Sequence, residues 1–316
     1  MEFRALHPEE LEPWFDHVGH VFSTSRQYFV NHWEGDPWKD PAGIRVAVDK
    51  GKIVSTLRVF SRAMFLHGEH VSMGGIGEVS TLPEYRRRGL ATQLLKDAIR
   101  FMEEREIALS SLHGSQRIYS VEGWESVQRH QAMQHFSRRE STAWTIRPAD
   151  FDSQNELAQI ATLYDNYSRK FNGAFVRDNL AYWTDWVKTE SPDAWVAEKS
   201  GKLEGYIAVA GKLSVEEFAV SDAQFSQDRG KQLFEAMLGH IIAQKDAETL
   251  EVEYAAPIAD GFNAPKVHTY GGTMYRVINA DKMPSRDALP ALLYHQPAYL
   301  TQGLQSHHIF WPTDNF

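Results

Sequence analysis

The run EVSTLPEYRRRGLATQLLKDAIRF, residues 78–101, holds the residues whose types and order most directly imply chemistry. A β-rich stretch runs into Pro83, a short basic turn and Gly89. A helix follows, with Leu90, Leu94, Leu95, Ala98, Ile99 and Met102 recurring on one face. At such a strand-to-helix turn the first N–H groups of the helix and the positive end of its dipole point at one spot. Gly89 permits close backbone approach, Ala91 keeps the next turn small, and Arg86, Arg87 and Arg88 add fixed positive charge. Arginines at a helix start oppose the dipole and destabilise it unless an anion sits there. This is chemistry for a pyrophosphate; the alternative is a solvated basic helix start.

Such a turn needs a sheet before it and a helix after it, and the surrounding pattern supplies both. Residues 3–6 read as a short strand, Pro8-Glu9-Glu10 opens a helix to about Phe22, and a second helix covers about Ser25 to Trp33. Residues 44–60 form a hairpin around Asp49-Lys50-Gly51; another strand follows, then His67-Gly68 and a strand over 71–82. The helix from Arg88 to Glu104 leads to strands at 107–113 and 127–137. Beyond 138–141 the order returns: TIRPA at 145–149, helices at 153–168 and 176–188, a hairpin at 194–211, a strand at 213–220, a helix at 227–245 and a strand at 250–255. This repetition predicts an internal duplication with units at 1–140 and 141–281, followed by a Pro-punctuated tail, 282–316.

Bulk properties narrow the classes. At 316 residues the chain favours two cores. A net charge of −9 argues against a nucleic-acid partner, and no apolar run reaches the roughly 20 residues of a membrane span. With no cysteine there is no disulfide, thiolate nucleophile or cysteine-bound metal, and a cytoplasmic location is expected. A homo-oligomer is compatible with the sequence. His307-His308 lacks a third ligand at metal spacing, so no metal is expected.

Arg86-Arg87-Arg88-Gly89-Leu90-Ala91, in its strand–turn–helix context, resembles the R/Q-x-x-G-x-G/A signature of the GNAT superfamily of N-acetyltransferases. The resemblance implies an α/β fold of two tandem GNAT-like domains, each a mixed, mostly antiparallel twisted sheet flanked by helices. It implies acetyl-CoA as co-substrate, its pyrophosphate held by residues 86–92 (Arg86 to Gly89, Leu90, Ala91 and Thr92) and its pantetheine arm pairing with Val79, Ser80 and Thr81. Tyr119, four residues before Gly123-Trp124, matches the family's tyrosine acid, which protonates the departing thiolate. A phenol of ordinary pKa about 10 stays protonated until that thiolate forms; the alternative is a ring that only packs. Ser115 is the implied coenzyme-contacting serine, one residue nearer the tyrosine than in close relatives.

The duplicated layout, RRRGLA and VRDNLAYWTDWV (176–187) together resemble the enhanced-intracellular-survival (Eis) group of tandem acetyltransferases. That group carries a third, sterol-carrier-like domain, for which 282–316 is too short. In the second unit Gln227-Asp228-Arg229-Gly230-Lys231-Gln232 replaces the motif; Asp228 would repel a pyrophosphate, so a degenerate, coenzyme-free unit is expected. The implied activity is acetyl transfer to a primary amine of a small, cationic molecule, by direct attack. Two carboxylates qualify as the base. Glu78 precedes the coenzyme-pairing residues, with a strand-edge ion pair to an arginine as its alternative role. The resemblance also brings the C-terminal carboxylate of Phe316 back to the active site, anchored by aromatics in IFWPTDNF. His32, Trp33 and Trp38 are expected at the acceptor cleft or in packing around it. The rival readings are a non-catalytic acyl-CoA-binding regulatory protein and an aminoacyl-tRNA-dependent transferase of the same fold.

Overall fold

The structure, a computed structural model, describes residues 1–190, 193–221, 227–255 and 266–284. Phe316 with its terminal carboxylate, His307-His308 and most of the 282–316 tail lie outside the described residues. Strand β1 (Glu2–Ala5) precedes helices α1 (Leu11–Phe22) and α2 (Arg26–Glu34), then strands β2 (Ile44–Asp49), β3 (Lys52–Leu66) and β4 (Glu69–Thr81). Helix α3 (Leu90–Glu104), β5 (Leu109–His113), the short α4 (Gln116–Tyr119) and β6 (Glu125–Ser137) complete the first half.

The second half repeats the order. It runs through β7 (Thr145–Pro148), α5 (Gln154–Ser168) and α6, a π turn over Tyr182–Val187 ending in Lys188–Glu190. Then come β8 (Asp193–Lys199), β9 (Lys202–Ala210), β10 (Ser214–Val220), α7 (Gln227–Gln244), β11 (Thr249–Ala255) and β12 (Lys266–Val277). The expected helix at 176–188 starts later, because Arg177 is drawn into a buried ion pair with Glu217 of β10 and residues 176–179 have no helical structure. The separate strand expected after the first hairpin is the far end of β3, which continues to Leu66.

Both halves are mixed and mostly antiparallel: β4 runs parallel to β5, and β10 to β11. They join in one twelve-stranded sheet, ordered β1-β2-β3-β4-β5-β12-β6-β11-β10-β9-β8-β7. The centre of this order is an exchange. The edge of β5 is covered by β12 from the second half, and the edge of β11 by β6 from the first. The sequence reading missed β12, although VHTYGGTMYRV is rich in β-branched and aromatic residues.

Apolar stripes hold helices to this sheet. Leu94, Ala98 and Met102 of α3 are fully buried, in one cluster with Val54 and Leu57 of β3. Each large side chain so buried contributes about 1.5–3 kcal/mol. Met274 of β12 is fully buried in that same first-half cluster, beside Leu112 and Trp124. We expect Met274→Ala to cost about 2–5 kcal/mol and to lower a single cooperative denaturant transition followed by tryptophan fluorescence. Two separate transitions, with the first-half one unmoved, would contradict the exchanged sheet.

Candidate active site

The parallel ladder between β4 and β5 is short, pairing Met73–Ile76 with Leu109–Leu112. β4 continues to Thr81 against β3 alone, so the two strands part after Ile76. Within that stretch Ser80 turns its C=O to Ser55 Oγ (2.9 Å), and Leu82, just past the strand, donates its N–H to Val54 (3.0 Å), both toward β3. Alternation along the strand then leaves the N–H and C=O of Val79 and Thr81 facing the fork. A bulge begins this free edge: Thr56 faces Ser80 while Arg58 faces Gly77, and Glu78 takes φ +55°. A left-handed non-glycine residue costs of order 1–3 kcal/mol and persists only where its surroundings impose it.

The fork opens onto the basic turn. Arg86 Nε donates to the Thr81 carbonyl at 3.2 Å and Arg88 Nη2 to that of Glu84 at 2.6 Å. Arg87, at φ +62°, makes no hydrogen bond or ion pair among the described residues. Gly89 stands at φ +75° immediately before α3, and a Cβ there would meet nothing within 4 Å, so the space above it is open. No acidic residue occupies the first turn of α3. Leu90 is buried beneath, with Ala91 and Thr92 half-buried. In the second half, Gly230 lies inside α7 and is not among the positive-φ residues, so no equivalent turn forms around it.

Tyr119 ends α4 across the fork. Its ring is 8% exposed and shares an apolar cluster with Ile76, Leu82 and Leu90, against which Val79 packs. Gly114 makes this possible, since a Cβ there would lie 2.4 Å from Tyr119 Cε2. Burial raises the pKa of the phenol, and its hydroxyl makes no hydrogen bond among the described residues. Ser115 is the exposed cap of α4, its carbonyl accepting from Ile118 and Tyr119. His113, not foreseen, ends β5 at the fork and binds Thr273 of β12 at 2.8 Å through Nε2.

Glu78 heads a buried ionic group. Its Oε1 is 3.8 Å from Arg58 Nη1, while Arg58 Nη2 binds Asp36 Oδ2 at 2.5 Å and Arg62 Nη1 lies 3.1 Å from Asp36 Oδ1. The side chains of Arg58, Arg62 and Asp36 are each 1% exposed. Burial raises the Glu78 pKa, with the charges of Arg58 and His32 acting against it. Trp33 packs its ring 4.7 Å from the Arg58 guanidinium, and Trp38 lies 5.0 Å from that of Arg62. His32 stands outside this group, its Nε2 2.9 Å from Glu190 of α6. Between α2 and α6 lies a cleft of about 390 Å³ lined by Asn31, His32, Glu34, Asp185, Trp186 and Glu190. Trp33 and Trp38 therefore wall the arginines, and His32 lines the cleft. Asp36, Arg58 and Arg62 escaped the sequence reading; the available signal was two arginines four apart on one strand, which places them on one face.

Residues 2–127 match the model of the acetyltransferase (GNAT) domain family. The match spans the first half, from β1 to the start of β6. Similar solved structures extend the likeness across both halves. A probable N-acyltransferase from Enterococcus faecalis V583 superposes with a TM-score of 0.70 at 18% identity, over 89% of this chain and 73% of that one. A GCN5-related N-acetyltransferase from Anabaena variabilis gives 0.69 at 16% identity, over 89% and 74%. Eis1 from Mycobacterium abscessus gives 0.61 at 15% identity, over 88% and 74%. No curated protein matches the sequence. Among the described residues no helix is long and apolar enough to cross a membrane, and no three acidic or histidine side chains group as metal ligands.

The first half also buries a titratable link beneath the outer edge of β4. His17 of α1 has Nδ1 3.2 Å from the Ile53 carbonyl and Nε2 3.2 Å from Ser80 Oγ. A carbonyl only accepts, so Nδ1 carries the proton and Nε2 accepts from Ser80. Burial pushes the His17 pKa down to about 4, with the bond to Ile53 opposing. The unfolded chain then takes up the proton first. Stability from this site is full above about pH 6.5 and is lost as pH falls toward 4, by about 3 kcal/mol in all. Denaturant midpoints measured against pH should show this loss in the native protein and not in His17→Gln; parallel curves would contradict it.

Proposed function

We propose that the protein transfers the acetyl group of acetyl-CoA to the primary amine of a small cationic molecule. The observation that carries this reading is the fork: past Ile76 the outer edge of β4, from Val79 to the Thr81 carbonyl that Arg86 meets, leads directly into the open, positive turn at Gly89. An extended amide-bearing arm fits the edge, and a pyrophosphate offsets both the helix dipole and the arginines that oppose it. The likeness to a GNAT domain over residues 2–127 supports the same donor. Acidic side chains Glu34, Asp185 and Glu190 around the α2–α6 cleft support a cationic acceptor.

The chemistry is direct attack. The neutral amine adds to the thioester carbonyl, forming a C–N bond and a tetrahedral oxyanion. The oxyanion collapses with cleavage of C–S, and the departing sulfur takes the Tyr119 proton. A phenol made less acidic by burial holds that proton until the thiolate demands it. The amine's surplus proton goes to Glu78, whose burial makes it a stronger base than an exposed carboxylate.

A thiol-release assay across an amine panel tests this. Tyr119→Phe keeps the ring and breaks no hydrogen bond among the described residues, so stability and coenzyme affinity should hold while kcat falls about 10²–10⁴-fold. Glu78→Gln should lower turnover similarly, whereas residues appended after Phe316 should not. The reverse pattern would move the base to the C-terminal carboxylate, and no thiol release with any amine would overturn the reading.

A further inference from the structure

The two halves contain the same carboxylate in two different states. Leu82 N–H binds Val54 O where β4 leaves β3, and Ser221 N–H binds Glu204 O where β10 leaves β9. Counting back from these matching bonds puts Glu78 and Glu217 at the same strand position. Thr81 faces Ser55 and Val220 faces Gly205, which keeps the two registers in step. Both carboxylates lie beside a bulge, and each has a buried arginine as its near cation.

The outcomes differ. Glu217 is gripped by both Arg177 terminal nitrogens, at 3.1 and 2.7 Å, with side chains 1% and 0% exposed. Glu78 stands at 3.8 Å from Arg58, beyond hydrogen-bond distance, and its Oε2 is buried without a partner. The cause is Asp36, which takes Arg58 Nη2 at 2.5 Å and is itself steadied from the other side by Arg62 at 3.1 Å. We propose that Asp36 is a positioning residue: it holds the Arg58 guanidinium off Glu78 and so keeps that carboxylate free to take the acceptor's proton. Glu217, held through both oxygens by Arg177, is locked as an ion pair and is not a base.

This inference rests on Glu78 being the base of the acyl transfer. The charged and titratable groups facing Glu78 are Arg58 of β3, Asp36 after α2, and His32 and Tyr28 of α2. Arg62 of β3 acts through Asp36, and Glu190 of α6 through His32. Only Arg58 is close enough to form a bidentate pair once released. An ion pair of that kind lowers a carboxyl pKa by about one to three units, and a base so weakened accepts the proton poorly.

The test compares the native protein with Asp36→Asn. We expect the acid limb of kcat/KM to move down by about one unit or more and kcat to fall at least tenfold. The ¹³C-carboxyl resonance of Glu78 should titrate lower by the same interval, a readout that does not require turnover. A limb and a titration that stay in place, even with kcat reduced, would show a merely structural role and overturn the proposal. A lowered titration in a protein that releases no thiol would leave the positioning by Asp36 standing and overturn the acetyl-transfer reading alone. Arg58→Gln serves if Asp36→Asn does not fold. It removes the cation and should raise the Glu78 titration, and an unchanged value would overturn the proposal by itself.

Discussion

The ladder between β5 and β12 is the constraint on which the rest of the molecule depends. β5 leaves β4 after four paired residues, and a strand that parts from its neighbour must be held from the other side. β12 does this over Thr273–Val277, reaching from the second half, and buries Met274 and Tyr275 in first-half clusters. The open fork is therefore not a frayed edge. It is a bounded gap, with β3 paired behind β4 and β12 paired behind β5. An open strand edge inside a large sheet invites pairing with an extended segment, and the proposed coenzyme arm is such a segment.

From that gap the remaining features follow in order. The bulge at Glu78 turns its carboxylate into the buried ionic group, while the strand beyond keeps Val79 and Thr81 presented outward. Gly114 lets the Tyr119 ring fold back into the apolar cluster that also holds Ile76 and Leu82. The second half retains the sheet but has lost the turn at Gly230, and its carboxylate Glu217 is captured. It contributes instead α6, which closes one wall of the cleft opposite α2.

Local patterns were legible in the sequence, and long-range choices were not. The run 78–101 announced its strand, turn and helix because each depends on neighbours within a few residues, and Gly89 indeed needs its positive φ. The repeated element order was readable for the same reason. β12 was not, because nothing in VHTYGGTMYRV says that its partner is β5, some 160 residues earlier (Thr273 faces His113). Asp36 was equally hidden: an acid in a Gly-Asp-Pro turn reads as turn chemistry, and only the fold brings it between Arg58 and Arg62. Trp33 and Trp38, expected at an acceptor cleft or in packing around it, lie against buried arginines. Of the alternatives for Glu78, the structure shows a carboxylate 3.8 Å from Arg58, whose other terminal nitrogen is bound to Asp36.

The central claim is that a single strand fork, in the first half, is built to receive the coenzyme. Titration calorimetry with acetyl-CoA tests it most directly. The account predicts one coenzyme per chain, with binding abolished by Gly89→Val, which strains the turn and fills the space above it. Two coenzymes per chain, none, or undiminished binding by Gly89→Val would contradict it.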